Sequence, residues 1–585
     1  MPRLALLAAP LALASLALAA PTPAAACGGT FCDAGPNNMP VSQTGETILF
    51  VMAGDHTEAH IQIEYDPNTE ASRFAWLVPL TGVPEFSVGS QQLFVNLLNG
   101  TVPSFGFVNT FEPCGYGDYG GDYGGGGGDS CGLTGGSSAT AGGTGAGSGG
   151  GGEDDGTTGD APTVLLEETV GAFDVVVIED SDAAVVMTWL SDNGYYQDMA
   201  AEPILQEYLD EGHLLAAFKL TQGAGVSEIH PVVLSYPGDE PCVPIRLTRI
   251  AAEPDMDIRA FFLADALVGP TNYLHVVVNE VLYEWPNFVA NYKDVVVQAI
   301  DSAQDGHAFV TEYAGPSSVV DPSGLFSATW SAAAFASIEA TAVVDELIAQ
   351  GLMECVDTTC TYNHPLVQSI LGVYLPVPNG LAPGEFYSCL SCFEGMIDAM
   401  AWDPAGFSQA IAERVIEPGA HAVELLDTYP QLTRLYTTLS PAEMTVDPTF
   451  HRNADLPPVD LTSRTVTRYV PCSGATLWQL TPARAVTADM EWPTFGQDMP
   501  FAERIESIPP AGAPQVIVDN GPMIDAILAM MNALTRGPQI RKTVCEDEPG
   551  TGGCGCRSEG GEPALAALLL SALGLGVLRR RRAAR

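Results

Sequence analysis

The sequence predicts an α+β protein, with a largely antiparallel, β-rich N-terminal body and a more helical C-terminal half. Two patterns support this prediction. Apolar and polar residues alternate along short segments before Asn291, and helical periodicity dominates after it. Although the chain has a net charge of −48, 46% of its residues are hydrophobic. This share is too high for a disordered acidic chain and is sufficient for a packed core.

Short strands account for the predicted β-rich body. The clearest is EAHIQIEYD, in which Ile61 and Ile63 point to one face while His60 and Gln62 point to the other. A short helix is expected at residues 203–209. The other predicted strands are ETILFVMAG, FAWLVPL, TVLLEE, AFDVVVIE, AAVVMTWL, HLLAAFKL, HPVVLSYP, VPIRLTRIAA, IRAFFLADAL and NYLHVVVN.

Helices are predicted to follow Asn291, beginning with NYKDVVVQAIDSAQ. A second is expected at 337–350, with Ser337 as N-cap and Gly351 as the C-terminal stop. The remaining expected elements are a helix from Asp403-Pro404 to Ile416, helical segments at 419–439 broken at Pro430, a strand at TSRTVTRYV and a last helix near 523–534.

The N-terminus has the features of a secretory signal peptide. One positive charge, Arg3, precedes an apolar run at 4–20, and small residues precede a cleavage point after Ala26. An alternative is a lipoprotein signal with Cys27 acylated. Such signals usually carry Leu three residues before the Cys, where this chain has Ala24.

The C-terminal tail has three successive parts: a Cys554-Gly-Cys556 motif, an apolar stretch at 563–578 and an arginine cluster at 579–582. A helix of that length reaches about 24 Å, which is short for a bilayer core of about 30 Å, and the arginines favour a cytoplasmic end. The tail resembles the MYXO-CTERM sorting signal of myxobacteria, which implies that Cys554 is the processing residue. The alternative is an ordinary single-pass transmembrane anchor.

These features divide the chain into consecutive segments that are expected to differ in structure. Gly115 opens a glycine-rich stretch that cannot form a packed core, so it is interpreted as a flexible insertion. The predicted segments are a signal peptide (1–26), a β-rich N-terminal part of the ectodomain (27–114), the insertion (115–162), a β-rich continuation (163–290), a helix-rich part (291–447), a Pro-rich mixed part (448–545), a spacer (546–553) and the sorting signal (554–585).

Charge and cysteine content restrict the class of protein. With 71 acidic against 23 basic residues, binding to nucleic acid is disfavoured. The 13 cysteines of an exported chain are expected to form mostly disulfides. The local couples are Cys27 with Cys32, Cys114 with Cys131, Cys355 with Cys360, and Cys389 with Cys392.

His56, Glu58 and His60 form the best cluster for metal chemistry. At two-residue spacing on a strand they share one face, and imidazole and carboxylate ligands so placed can bind zinc. The alternative is the solvated face of an amphipathic hairpin, and this is the favoured interpretation. Calcium at Glu253, Asp255 and Asp257 is a further hypothesis, against that of a solvated turn.

The cysteine spacing at Cys389-Leu-Ser-Cys392 also fits a redox motif, or zinc held jointly with Cys355 and Cys360; a structural disulfide is preferred in an exported protein. The sequence contains no Gly-x-Ser-x-Gly, His-Glu-x-x-His or phosphate-binding Gly-Lys-Ser/Thr motif. No cofactor is therefore predicted beyond these zinc and calcium hypotheses, and no catalytic residue is assigned.

Several phrases between Cys27 and Asp447 resemble one exported bacterial family, the domain-of-unknown-function 2330 family. They are CGGTFC, ETILF before AHIQIEY, FAWLVPL, WLSDNGY, FKLTQGAGVSEIHPVVLSYP, VPIRLTRIAAEPDMDI, NYLHVVVNE and PQLTRLYTTLSPAEMTVDP. The resemblance brings no activity, catalytic residue or cofactor with it.

The leading functional hypothesis is an exported, surface-anchored protein with a structural, adhesive or ligand-binding role. It rests on the export signal, the anchor, the disulfides and the missing catalytic motifs. The alternative is a cell-surface hydrolase or metal-dependent enzyme. Expected partners are the signal-processing and sorting proteases and components of the envelope or cell surface.

Overall fold

A computed structural model gives the fold and describes residues 30–31, 43–63, 75–113, 161–195, 199–221, 228–250, 252–398, 400–472, 474–488 and 491–536. The predicted signal peptide with Ala26, the couples Cys27–Cys32 and Cys114–Cys131, nearly all of the glycine-rich insertion, the spacer and the sorting signal with Cys554 lie outside these residues. The chain divides into two compact units, 1–532 and 533–585. The second unit contributes only the last residues of the final described helix.

The strands, in chain order, are β1 (Thr30–Phe31), β2 (Gln43–Ala53), β3 (His56–Ile63), β4 (Ala75–Leu80), β5 (Glu85–Val88), β6 (Phe105–Phe111), β7 (Thr163–Val170), β8 (Phe173–Glu179), β9 (Leu214–Leu220), β10 (Val232–Pro237), β11 (Ala252–Ala264), β12 (Val268–Pro270), β13 (Leu274–Val278), β14 (Ala308–Pro316), β15 (Met353–Val356), β16 (Thr359–Tyr362), β17 (Gln431–Leu439), β18 (Phe450–Arg452), β19 (Val459–Asp460), β20 (Arg464–Val470), β21 (Thr476–Gln479), β22 (Ala485–Ala488), β23 (Ala502–Ser507) and β24 (Gln515–Asp519).

The α-helices are α1 (Gln91–Thr101), α2 (Ala183–Asp192), α3 (Glu202–Asp210), α4 (Ile245–Thr248), α5 (Tyr292–Asp301), α6 (Val343–Ala349), α7 (Val367–Tyr374), α8 (Pro383–Ser388), α9 (Pro404–Ile411), α10 (Glu417–Thr428) and α11 (Gly521–Arg536). A π-helical turn, Ala412–Ile416, joins α9 to α10. None of the described helices combines the length and the apolar character that crossing a membrane requires. The predicted apolar helix at 563–578 lies outside the described residues.

One large sheet organises the fold, with the strand order β24-β23-β13-β14-β17-β11-β2-β3-β10-β5 and β19 beside β14. Most neighbours are antiparallel, as predicted, but β2 with β11 and β13 with β14 are parallel. Strands from both ends of the chain meet in this sheet. The predicted division into a β-rich first half and a helical second half is therefore not clearly present.

A second sheet, in the order β1-β4-β9-β8-β7, packs against one face of the large sheet. The core between them includes Phe50 and Phe262 from the large sheet and Val175 and Phe218 from the small one, all buried. Helices α2 and α3 cover the outer face of the smaller sheet. This arrangement leaves the other face of the large sheet to be covered by other elements.

Helices α1 and α10 cover that other face. Leu49 and Val51 of β2 pack there with Phe94 of α1 and Leu425 of α10. Because side chains alternate along a strand, neighbouring β3 residues that face away from the two-sheet core point toward α10. The packing of α10 therefore decides what these β3 side chains meet.

Two further layers complete the described chain. Helices α6 to α9 and the β15–β16 hairpin share their own apolar core. A four-stranded sheet, β22-β21-β20-β6, packs near α11, with Trp478 and Ile524 buried between them.

Four predicted elements are wrong in type or extent. The predicted strand AAVVMTWL is helix α2, because Asp182 caps its N-terminus and the buried residues recur at helical spacing. VPIRLTRIAA contains α4 rather than a strand. The expected helix at 337–350 begins later, at Val343, so Ser337 is not its N-cap.

The fourth correction concerns residues 431–439, which were expected to be helical and form strand β17. Leu432 to Leu439 are buried there between β11 and β14. The run is rich in Thr, Leu and Tyr, which suit a buried strand. Several other predicted elements are confirmed, among them β2, β3, β4, β8, β9, α3, α5 and α11.

Candidate functional site

Strand β3 supplies two residues of the candidate site. It lies between β2 and β10, and its residues Ala59 and Ile61 face the core between the two sheets. Glu58 and His60 alternate with them and therefore face α10. The sequence predicted this shared face from the spacing alone.

Helix α10 supplies the third residue. The helical run begins with Asp403, whose side chain accepts a hydrogen bond from the Gly406 N–H, and continues through the π-helical turn. At Gly419 the helix passes so close to the Leu325 carbonyl that a β-carbon would overlap its oxygen. This approach seats α10 firmly and places His421 opposite β3.

The three side chains converge on one oxygen. The Glu58 Oε2 atom lies 2.9 Å from His421 Nε2 and 3.4 Å from His60 Nε2. The two imidazole rings are nearly parallel, at 14°, with centroids 6.0 Å apart. One ligand atom from each residue can be chosen so that all three lie within 4.8 Å of one another.

His60 is the unusual member of this group. It is 2% exposed, and neither ring nitrogen makes a hydrogen bond with the described residues. A buried polar atom without a partner costs about 1–3 kcal/mol. Most buried imidazoles have a partner, so this orphaned pair of nitrogens indicates a ligand.

Electrostatics favour a charge distribution suited to a cation. The hydrogen bond from His421 and the nearby His60 ring hold the pKa of Glu58 well below its usual range. Burial lowers the pKa of His60, so its ring stays neutral with a free lone pair. The hydrogen bond to Glu58 raises the pKa of His421. An ionised Glu58 beside a neutral His60 is therefore the state at neutral pH.

The residue types and separations fit a transition metal, zinc foremost. Zinc binds imidazole nitrogen and carboxylate oxygen at about 2.0–2.2 Å, so tetrahedral ligand atoms lie about 3.3–3.6 Å apart. The separation between Glu58 and His60 already matches, and that between Glu58 and His421 needs to open by about half an ångström. Two His and one carboxylate also leave a coordination position open.

An open cleft adjoins the side of the site where His421 is exposed. It is lined by His421, Glu413 and Glu417 from the helical run and by Phe86 and Glu168 from β5 and β7, among others. A small molecule in this cleft would reach the imidazole of His421. The site therefore has a route to solvent as well as a buried ligand.

The predicted trio is corrected at one position. His56 is turned to Ser235, with Nε2 2.7 Å from Oγ, and takes no part in the cluster. His421 takes its place, 363 positions along the chain from Glu58. No local motif marks His421, because only the packing of α10 on β3 brings the two residues together.

The other candidate clusters are used differently. Cys355–Cys360 and Cys389–Cys392 are disulfide-bonded, which leaves no thiolates for zinc there. Cys472 is also disulfide-bonded. Within the part of the chain that the structure describes, the carboxylates proposed for calcium do not group: Asp255 contacts Ser440, whereas Asp257 binds Arg259 and Lys293.

His275 and His230 use both ring nitrogens in contacts within the fold. Nδ1 of His275 lies 3.2 Å from Glu506 and its Nε2 lies 3.0 Å from Thr311, which joins three neighbouring strands. His230 bonds the backbone at Ala172 and Pro231. Cys242 is an exposed free cysteine, and desolvation together with the nearby Asp447 carboxylate raises the pKa of its thiol.

Comparisons with known proteins identify a family for this chain but no activity. The sequence model of a family described as "Uncharacterized protein conserved in bacteria (DUF2330)" matches residues 21–327. Glu58 and His60 lie inside this match, and His421 lies beyond it. No curated protein matches the chain. A solved structure of a mutated baculovirus P35 after caspase cleavage is similar at 8% identity over 40% of this chain and 69% of that one, with a TM-score of 0.19.

Proposed function

The chain belongs to the DUF2330 family of uncharacterised conserved bacterial proteins, a membership that brings no activity with it; we propose from the site that its function is to bind a transition-metal ion. The ion would be zinc or a similar divalent metal, held by Glu58, His60 and His421. The single observation that carries this proposal is the buried His60 ring, whose nitrogens make no hydrogen bond with the described residues and lie beside an ionised carboxylate. These contacts support the zinc hypothesis against the interpretation of a solvated hairpin face.

We further propose that this binding takes place outside the cytoplasm, on a protein retained at the cell surface. The support is in the sequence: the signal peptide at 1–26 and the three-part tail at 554–585. The two disulfides of the helical part are typical of an oxidising compartment. A Cys554→Ala variant in the native host is expected to lose processing and surface retention. Unchanged mature size and retention would refute the sorting signal.

Metal analysis of the purified protein tests the binding proposal. After dialysis against zinc and then against metal-free buffer, the wild-type chain is expected to retain one zinc ion. His60→Ala and His421→Ala are each expected to reduce affinity at least tenfold, since each removes a ligand.

His56→Ala is the matched control, because His56 lies on the same face of β3 and bonds Ser235 instead. It is expected to retain zinc as the wild type does. Equal zinc content in the wild-type, His60→Ala and His421→Ala proteins would refute the site.

A second candidate function is metal-dependent hydrolysis. It is favoured by the three-ligand set, which leaves a position open for water, and by the adjoining cleft with Glu413 and Glu417. A bound metal would supply an activated water, and a carboxylate in the cleft would accept its proton. Neither acid is assigned as catalytic on this geometry.

Turnover of an activated aryl ester separates the two candidates. If the site is hydrolytic, zinc-loaded protein cleaves the ester faster than the metal-free protein, and either Glu413→Gln or Glu417→Gln loses the rate while keeping the zinc. If the protein only binds metal, zinc loading leaves the rate at the background value.

A further inference from the structure

A second cleft, which shares no residue with the metal site, lies where β11, β14 and β17 meet the N-terminal turn of α5. Its cations are Arg259, Lys293 and Arg434, and we call it the cationic cleft. Its apolar wall includes Phe105, Phe288 and Tyr292. Sequence patterns gave no sign of it, because its residues come from distant segments.

Three of the residues that line the cationic cleft are cations and two are carboxylates. Asp257 binds both Arg259 and Lys293, at 2.7 and 2.8 Å, and Glu312 binds Arg434 at 2.6 Å. In a chain with 71 acidic and 23 basic residues, a grouping of three cations runs against the general field.

The two acids hold the cations in defined positions. Asp257 also accepts a hydrogen bond from the Tyr436 hydroxyl, 2.7 Å away. Glu312 accepts one from Tyr292 at 2.8 Å, and it lies at an irregularity in the β14–β17 register. Bulges of this kind redirect side chains and are common beside functional sites. The cationic cleft is therefore preorganised.

Two strained backbone residues lie at the rim of the cationic cleft. Phe288 and Val289 are consecutive left-handed residues, with φ of 51° and 56°. For a β-branched valine this conformation is a true outlier, and such positions cost about 1–3 kcal/mol and cluster at binding sites. The result is a Phe288 ring that is 64% exposed at the mouth.

We propose that the cationic cleft binds a small organic anion, a carboxylate attached to an aromatic or apolar body. The carboxylate would lie between the side chains of Arg259 and Lys293, which are 23% and 52% exposed and can reach a ligand. The guanidinium fork matches a carboxylate. The apolar body would pack on Phe105 and Phe288.

Calorimetric titration with 2-naphthoate tests this proposal, with the neutral 2-naphthamide as matched ligand. Saturable one-to-one binding of naphthoate is expected, with the amide at least tenfold weaker. Arg259→Gln and Lys293→Gln are each expected to weaken naphthoate binding at least fivefold. Lys219→Gln, on strand β9, is the control variant and is expected to bind as the wild type does.

Amine labelling gives a second measurement on the unaltered chain, which has only three lysines. Saturating naphthoate is expected to slow acetylation of Lys293 at least threefold and to leave Lys219 unchanged. The proposal is overturned if naphthoate shows no saturable binding up to 10 mM, if the amide binds equally well, or if Lys293 labels at the same rate with and without naphthoate.

Discussion

Two buried histidines, His230 and His60, differ in what their ring nitrogens contact. Nδ1 of His230 donates to the Pro231 carbonyl, and its Nε2 accepts from the Ala172 N–H. This pair of bonds requires the neutral ring. His60 is equally buried, yet neither of its nitrogens has such a partner. The first residue is structural, and the second is best explained by a ligand.

His230 predicts acid destabilisation. Burial lowers its pKa to about 4, below the value of about 6.5 expected in the unfolded chain. The folded state therefore holds fewer protons, so the stabilisation is full above pH 6.5 and is lost as the pH falls toward 4. A loss of about 2 kcal/mol is expected from this residue, measured by denaturant unfolding at pH 7 and pH 4.5.

His230→Gln is the control for this prediction, because glutamine keeps a donor and an acceptor but does not titrate in this range. The variant is expected to be less stable at pH 7 and to lose less stability on acidification. A pH dependence as steep as that of the wild type would contradict the assignment.

Among the elements, the helical run from α9 to α10 matters most for the site. The π-helical turn Ala412–Ile416 precedes Pro418, whose ring cannot supply a backbone donor. The sequence predicted a stop before this proline. The run continues instead, and that continuation brings His421 to β3.

Gly419→Ala tests how strictly α10 must approach its neighbour. The new methyl group would meet the Leu325 carbonyl, so the helix must shift. A destabilisation of about 1–3 kcal/mol is expected, together with weaker zinc binding because His421 moves with the helix. Thermal unfolding and zinc titration measure the two effects.

Gly372→Ala in α7 is the matched control, because a β-carbon there has nothing within 4 Å. It is expected to be neutral or to stabilise by about 0.5–1 kcal/mol, with zinc binding unchanged. Equal stability and zinc affinity of Gly419→Ala and the wild type would contradict the close approach.

At the scale of the whole molecule, sequence reasoning succeeded where a signal is local. The alternation in β3 predicted both the strand and the shared face of Glu58 and His60. It failed where long-range packing decides: β17 is a strand because β11 and β14 flank it. The sequence also could not predict the role of His421 or the cationic cleft, because both depend on contacts between distant segments.

The acidic composition predicts that salt stabilises the whole molecule. The 71 acidic residues outnumber the 23 basic ones, so negative charges repel one another across the folded chain. Salt screens this repulsion, because the screening length falls from about 10 Å at 0.1 M to about 3 Å at 1 M. A rise in melting temperature of about 2–4 °C is expected over this range. Because the effect is screening and not binding of a particular cation, choline chloride is expected to raise the melting temperature as much as sodium chloride does. A lower melting temperature at high salt would contradict this prediction.

We propose that one transition-metal ion joins β3 to α10. Anomalous diffraction at the zinc edge, from crystals of the zinc-loaded protein, would locate this ion. We expect a single strong peak about 2.0–2.2 Å from one oxygen of Glu58 and one nitrogen each of His60 and His421. Zinc-loaded crystals without a peak between these three side chains, or with the metal bound elsewhere, would contradict it.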